Sequence, residues 1–314
     1  MQQSQNSITL SSKIYPLLLK QIHNPPKKLF FRGNPEILQK TCIAVVGTRE
    51  YSDYGEYMTN KIIEELAVLD IAIVSGLAKG IDTIAHKAAI INGLPTIAVL
   101  GSGLDNIYPK QNISLAKEII SSGLILSEYE PLEPPADFHF PQRNRIISGL
   151  CIATVVIEAP EKSGARITAK LALDQSREIF VVPGDVDNEN SLGPLRILQE
   201  GSAYPVGSGQ DIISVLTMQP HLFENAKPKP VARHSAIIVH APAPAKTSHK
   251  PEIILNLSEE ETEIFSIIPR HRGISVDHIS QTCALPARKI LSALSILEIK
   301  GLLKIKDGKY SRRC

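Results

Sequence analysis

Three stretches of the chain set glycines, cations and hydroxyls where they could hold an anion. In "IAIVSGLAKGIDTIAH", residues 71–86, an apolar run stops at Ser75-Gly76, and Lys79-Gly80 precede a helix-like segment. Glycine lets a backbone approach its ligand closely, and a helix N-terminus presents N–H groups that lack an intrahelical partner. The stretch is not GxGxxG, and no GKS or GKT closes it as a nucleotide P-loop requires. In "FHFPQRNRIISGL", residues 138–150, Arg143 and Arg145 flank Asn144 just after Phe140. Guanidinium forks bind phosphate oxygens in pairs. In "EKSGARITAK", residues 161–170, Lys162, Ser163, Gly164, Arg166 and Thr168 gather at another helix start. Gly47-Thr48-Arg49 adds a further turn with a cation after an apolar run.

Each of these has a plainer reading. A glycine turn after a strand is more often only a tight connection, and Arg143 and Arg145 could simply pair with Glu128 and Glu158. Convergence shifts the balance. A mononucleotide needs one cradle, whereas a strand of nucleic acid has phosphates in series and needs several. The formal charge of the whole chain is only +2, yet residues 138–170 hold five Lys/Arg against two Glu, so a basic site would be local. Without tryptophan, base stacking would fall to Phe, Tyr and His; His139 between Phe138 and Phe140 reads equally as a platform or a packed corner. Asp82 and His86 share a helix face, but no third ligand lies nearby, so a hydrogen-bonded structural histidine is expected and no metal. The four cysteines are far apart, which argues against zinc and a disulfide framework. No nucleophile, carboxylate pair or activated cysteine stands out, so neither catalysis nor a cofactor is expected.

The elements that must position these residues are legible as alternation. Strand candidates at Ile43–Val46, Ile71–Val74, Thr96–Leu100, Leu124–Leu126, Ala153–Ile157 and Ile179–Val182 are Ile/Val-rich on successive positions, as strands covered on both faces should be. Helix-period segments such as Tyr54–Leu69 separate them. The pattern predicts an α/β fold with a doubly wound, mostly parallel sheet, whose ligands sit at the strands' carboxyl ends. The unusual residues fall there. Residues 1–40 read as a short lead-in and 41–217 as the main domain. Residues 218–257 read as a Pro/Ala/Lys-rich linker, with an apolar patch at Ala236–Val239. Residues 258–314 form a small C-terminal domain. There Ser258 to Glu261 is a capping-box pattern, two more helices follow, and Asp307-Gly308 marks a hairpin. Three helices and a hairpin are the plan of a winged helix. Its third helix offers Arg288 and Lys289 but little else to read base edges, and Lys304, Lys306, Lys309, Arg312 and Arg313 gather on the hairpin and tail. The N-terminus lacks a signal-type apolar core and no run is long enough to span a bilayer, so a soluble, reduced, cytoplasmic protein without membrane contact is expected.

Taken together, "SGLAKGIDTIAH", "AVLGSGLDNIYP", "FPQRNRIISGL", "SGARITAKLAL" and "VPG", with Gly47-Thr48-Arg49, resemble the DNA-processing protein A (DprA/Smf) family over roughly residues 15–215. The winged-helix tail is similar to one that many members carry. The resemblance implies an extended Rossmann-like domain that binds single-stranded DNA, protects it during natural transformation, and loads a RecA-type recombinase onto it. It also implies a homodimer formed through that domain. By the same resemblance Gly47, Thr48, Arg49, Ser75, Gly76, Lys79, Gly80, Phe140, Arg143, Asn144, Arg145, Lys162, Ser163, Gly164, Arg166 and Thr168 line the DNA site. Two departures stand out. The N-terminal helical module of many members is expected to be absent, and Leu195 stands where the family commonly has Asn. The rival reading is a Rossmann-like nucleotide phosphoribohydrolase. That group depends on PGGxGTxxE, whereas this chain has "APEKSGARITAKLALD", with fewer glycines, the acid displaced, and Lys162 and Arg166 gained. A duplex-specific regulator acting through the winged helix ranks third.

Overall fold

The structure of the protein is a computed structural model describing residues 6–218, 257–268, 273–283, 285–306 and 308–312. The interior of the expected linker, including Ala236–Val239, lies outside the described residues, as do Asp307 and Arg313. Two compact units divide the chain, Met1–Val231 and Ala232–Cys314.

In the first unit the strands are β1 (Ser7–Thr9), β2 (Lys28–Gly33), β3 (Thr41–Val46), β4 (Ile71–Ser75), β5 (Thr96–Leu100), β6 (Leu124–Ser127), β7 (Ala153–Val156), β8 (Glu178–Val181) and β9 (Tyr204–Pro205). Among the described residues they form one sheet in the order β1-β2-β6-β5-β4-β3-β7-β8-β9. From β6 to β9 the neighbours are parallel. All six strands expected from the apolar runs are present. The segment before residue 40 supplies two more, since β2 pairs antiparallel with β6 and β1 with β2.

Every residue of β3, β4, β5, β6 and β7 is buried. The strand period of two distributes them to opposite faces. Cys42, Ala44, Val46, Ala72 and Val74 join one core cluster, while Ile43, Val45, Ile71 and Ile73 join another. The helices of this unit are α1 (Leu17–Lys20), α2 (Asp53–Leu66), α3 (Ile81–Ile91), α4 (Ile113–Ser122), α5 (His139–Leu150), α6 (Gly164–Asp174), α7 (Glu189–Gln199) and α8 (Gly209–Thr217). Residues of α2, α3 and α8 cover the face of Ile43, and those of α5 and α6 the face of Cys42. From β3 the chain winds outward through β4, β5 and β6, then returns to place β7 on the other side of β3. This reversal opens a crevice above the carboxyl ends of β3 and β7.

The second unit comprises α9 (Glu259–Ile267), β10 (Ile274–Ser275), α10 (Val276–Thr282), α11 (Ala287–Ile299), β11 (Leu303–Lys306) and β12 (Lys309–Arg312), with sheet order β10-β12-β11. The Ser258–Glu261 capping box is formed as expected. Ile264, Ile268, Ile279, Ile290, Leu294, Leu297 and Leu303 make its own core. Some of its cations are spent internally. Lys289 pairs with Glu260 at 2.6 Å. Arg312 donates to the Ser266 and Ile268 carbonyls at 2.7 and 2.6 Å and lies 4.5 Å from the Phe265 ring centre. Among the described residues no helix is long and apolar enough to cross a membrane.

Because each unit holds its own apolar core, a chain ending at residue 218 is expected to unfold within about 3 °C of the first unit's transition in the full chain, a shift worth roughly 1 kcal/mol. Scanning calorimetry of the two chains checks this, and loss of the cooperative transition on truncation would contradict it.

Candidate nucleic-acid interface

At the chain reversal lies a cleft of about 730 Å³. The turn after β3 contributes Gly47, Thr48 and Arg49; the start of α6 contributes Lys162, Ser163 and Gly164; α5 contributes Phe140, Arg143 and Asn144. Thr168 also lines it. Ten of the residues expected at the site therefore share one cavity.

The two glycine-bearing turns differ in what their helices offer. At the N-terminus of α2 the anion position is already filled. Glu158, 1 % exposed at the end of β7, accepts from the Ser52 N–H at 2.9 Å and the Ser52 hydroxyl at 2.5 Å. Its carbonyl takes the Thr48 N–H at 2.6 Å. A carboxylate at this position satisfies donors and the helix dipole that a dinucleotide would otherwise use. The N-terminus of α6 is open instead. Ser163 caps it by accepting from the Arg166 N–H at 3.4 Å. The backbone N–H groups of Gly164 and Ala165 lie ahead of the intrahelical ladder. A Cβ on Gly164 would meet nothing nearer than the Asn144 amide at 4.0 Å. Arg49 and Lys162 are exposed, and among the described residues no carboxylate is within ion-pair distance of either.

Arg143 faces the other way. It is 5 % exposed and donates to the carbonyls of Gly76 at 2.8 Å and Val99, and through Nε to Asn144 Oδ1 at 3.1 Å. Burial lowers its pKa to about 10, with the charge of Asp82 opposing the shift. Asp82 accepts from the Gly76 and Ala78 N–H groups at 3.1 and 3.4 Å; burial raises its pKa and Arg143 pulls it back. Ser75 is buried and donates to the Val45 carbonyl at 2.7 Å. Gly76 is required because a Cβ there would sit 2.5 Å from the Arg143 guanidinium. Gly80, at φ +81°, lets the chain pass against the Thr48–Arg49 backbone. These residues build the cleft's frame. Asn144 and Thr168 fasten it from behind, both reaching the Gly164 carbonyl, at 3.3 and 3.1 Å.

Arg145 and Arg166 leave the cleft altogether. Arg145 Nη2 binds both oxygens of Glu128, at 2.7 and 2.6 Å, in a separate pocket. Of the pairings weighed from sequence, Arg145 with Glu128 is formed; Glu158 belongs to Ser52. Arg166 reaches the Glu161 carbonyl at 3.0 Å and the Glu200 carboxylate at 2.9 Å. Lys79 is exposed one residue before Gly80, beside the Arg49 turn. His86 binds the Thr96 hydroxyl at 2.7 Å, and burial lowers its pKa to about 3. His139 is buried and stacks on Tyr129 at 3.9 Å, which makes it a packed corner.

The half-exposed Phe140 ring packs over Gly101, with Arg49 6.0 Å from its centre and Tyr108 at 5.7 Å. Tyr108, 45 % exposed, was not expected here; its place at the end of the stretch "AVLGSGLDNIYP" was the signal that could have found it. The first turn of α7 also lines the cleft through Glu189 and Asn190, and Asn190 donates to the Glu50 carbonyl at 2.9 Å. Glu50, Asp137 and Glu189 make the lining mixed in charge. Among the described residues no group of three His, Cys, Asp or Glu could hold a metal.

Comparison with known proteins adds kinship to this geometry. The family model described as DNA recombination-mediator protein A matches residues 6–217, and the DprA winged helix domain matches residues 241–309. The DNA processing protein DprA of Streptococcus pneumoniae is 45 % identical over 208 residues, 66 % of this chain and 73 % of that protein. Protein Smf of Escherichia coli is 34 % identical over 313 residues, 99 % of this chain and 78 % of that protein. The solved structure of the pneumococcal DprA aligns with a TM-score of 0.65, covering 68 % of this chain and 74 % of that one. DNA processing protein A of Helicobacter pylori, solved to show its single-stranded DNA binding mode, aligns at 0.62 with 32 % identity, over 69 % of this chain and 98 % of that one.

Replacing Arg143 by Ala strips Asp82 of its buried countercharge and leaves two carbonyls without donors. A loss of about 3–5 kcal/mol is expected, read as a fall of roughly 10 °C or more in Tm. A variant that unfolds like the parent would place the guanidinium outside the frame. The neutral His86 sets a pH dependence. Its folded pKa is depressed, so the unfolded chain binds the extra proton. Stability is full above the ordinary value of 6.5 and falls as pH drops toward about 3. The slope is about 1.4 kcal/mol per pH unit. Urea midpoints across that window should decline less in His86→Gln than in the parent.

Proposed function

We propose, from the premise that the chain belongs to the DNA recombination-mediator protein A family, that it binds single-stranded DNA in the cleft between β3 and β7 and passes the strand to a RecA-type recombinase. The observation that carries this is the meeting of Arg49, Lys162 and the open N-terminus of α6 across one cleft at the chain reversal. One phosphate would rest on the first turn of α6, where free N–H groups and the helix dipole favour negative charge. A neighbouring phosphate would rest on Arg49, with Lys79 nearby. The partly exposed Phe140 ring, beside Arg49, would supply stacking without sequence preference. Glu50, Asp137 and Glu189 keep the cleft from being uniformly basic, so phosphates would rest on the individual groups Arg49, Lys162 and the α6 N-terminus rather than on a continuous positive surface.

The chain would act by binding rather than catalysis. Glu158 occupies the helix terminus that a dinucleotide would need, and the α6 turn lacks two glycines and the acid that a phosphoribohydrolase would carry there, while it has Lys162 and Arg166. As in the family it belongs to, the protein would protect incoming strands in natural transformation, work in the cytoplasm, and form a homodimer through its Rossmann-like unit. The structure of the Helicobacter relative, solved for its single-stranded DNA binding mode, supports the choice of ligand.

Fluorescence anisotropy with a labelled oligothymidylate and the matching duplex, titrated over salt concentration, tests this. Preference for the single strand is expected. Arg49→Ala and Lys162→Ala should each flatten the log–log salt slope by about 0.7, one phosphate contact on single strands. Equal binding to duplex, or parental slopes in both variants, would overturn the assignment. Assembly of recombinase filaments on strands precoated with single-strand-binding protein, with and without this protein, tests the handover.

A further inference from the structure

On the other side of α5's first turn lies a second pocket of about 730 Å³, lined by Glu128, Tyr129, Arg145 and Gln175. It adjoins the first cleft, since Pro141 lines both. Arg145 spends only Nη2 on Glu128; its Nη1 is buried and, among the described residues, has no hydrogen-bond partner. Gln175 caps α6 and donates through Nε2 to the Arg145 carbonyl at 3.2 Å. That bond fixes the amide's orientation and leaves its Oε1 buried and, among the described residues, unpartnered as well. The residues that carry this donor and this acceptor line one pocket, and buried polar groups without a partner call for an ordered water, an ion or a ligand group to satisfy them.

The charge balance says which kind. The Glu128 carboxylate neutralises Arg145, and Asp174 adds a further acid to the lining. A phosphate would be repelled, whereas a neutral planar group carrying an acceptor beside a donor would fit. The edge of a nucleobase has that pattern. Tyr129, stacked on His139, supplies a flat wall.

We propose that this pocket receives one base of the strand bound in the adjoining cleft, its carbonyl oxygen on Arg145 Nη1 and its ring N–H on Gln175 Oε1. The proposal rests on the single-strand function given above. It gives Arg145, whose charge Glu128 already matches, a role in base capture.

The test compares the affinities of the full-length protein for an oligothymidylate and for the same strand carrying N3-methylthymine throughout. Methylation removes the ring donor and leaves phosphates and stacking faces in place. The unmodified strand is expected to bind about tenfold tighter, the effect of leaving one buried acceptor unpaired. Gln175→Leu should erase that difference while binding the methylated strand as the parent does. Equal affinities in the parent protein would overturn the proposal and assign the two orphaned atoms to an ordered water. A preference that survives in Gln175→Leu would move base recognition elsewhere. Salt-sensitive but equal binding sinks this pocket alone, whereas binding of neither strand sinks the single-strand function and the pocket with it.

Discussion

A charged guanidinium buried between two strand ends governs the geometry of the first unit's upper surface. Isolated in a low-dielectric interior, an arginine costs several kcal/mol, and it is tolerated only when its donors and its charge are matched. Arg143 meets that condition by taking carbonyls from the ends of β4 and β5, the side chain of Asn144, and the charge of Asp82 from α3. Three separate segments must therefore converge on one point. Gly76 has to be glycine for the guanidinium to come so close, and Asp82 has to sit where it can also hold the loop that follows β4. Moving any one of them would expose a cost the others could not offset.

Glu158 plays the complementary part on the far side of β3. Its carboxylate and carbonyl clamp residues 48 and 52, so the intervening turn, with Arg49 at its tip, leaves the sheet in one direction. A cation held on a fixed turn loses less conformational entropy on binding than one on a free loop. The same clamp closes the helix terminus that would otherwise compete for phosphate. Function is thus divided between buried residues that build the frame and a few exposed ones that present charge.

The second unit shows a similar economy. The wing's Arg312 reaches the last turn of α9, and Lys289 on α11 is matched by Glu260. Two cations that look available for nucleic acid in the sequence are thus engaged within the small domain, beside its modest core of isoleucines and leucines.

The chain's own order of residues determined the fold class. Short runs of β-branched Ile and Val without polar alternation, bounded by glycines, read as strands covered on both faces, the glycines mark βα turns, and Ser258 with Glu261 spells a helix start. The linked motifs identified the family. The strands before residue 40 were harder to see, because β2 joins the sheet at its antiparallel edge and reads as a short mixed run. What only the tertiary structure decided was the fate of each polar group. A guanidinium binds a phosphate, a carboxylate or a backbone carbonyl with the same donors, so residue type alone does not separate Arg49 from Arg143 or Arg145. The separation follows from the winding of the sheet, which brings β4 and β5 to Arg143, Glu128 to Arg145, and leaves Arg49 facing solvent across from α6.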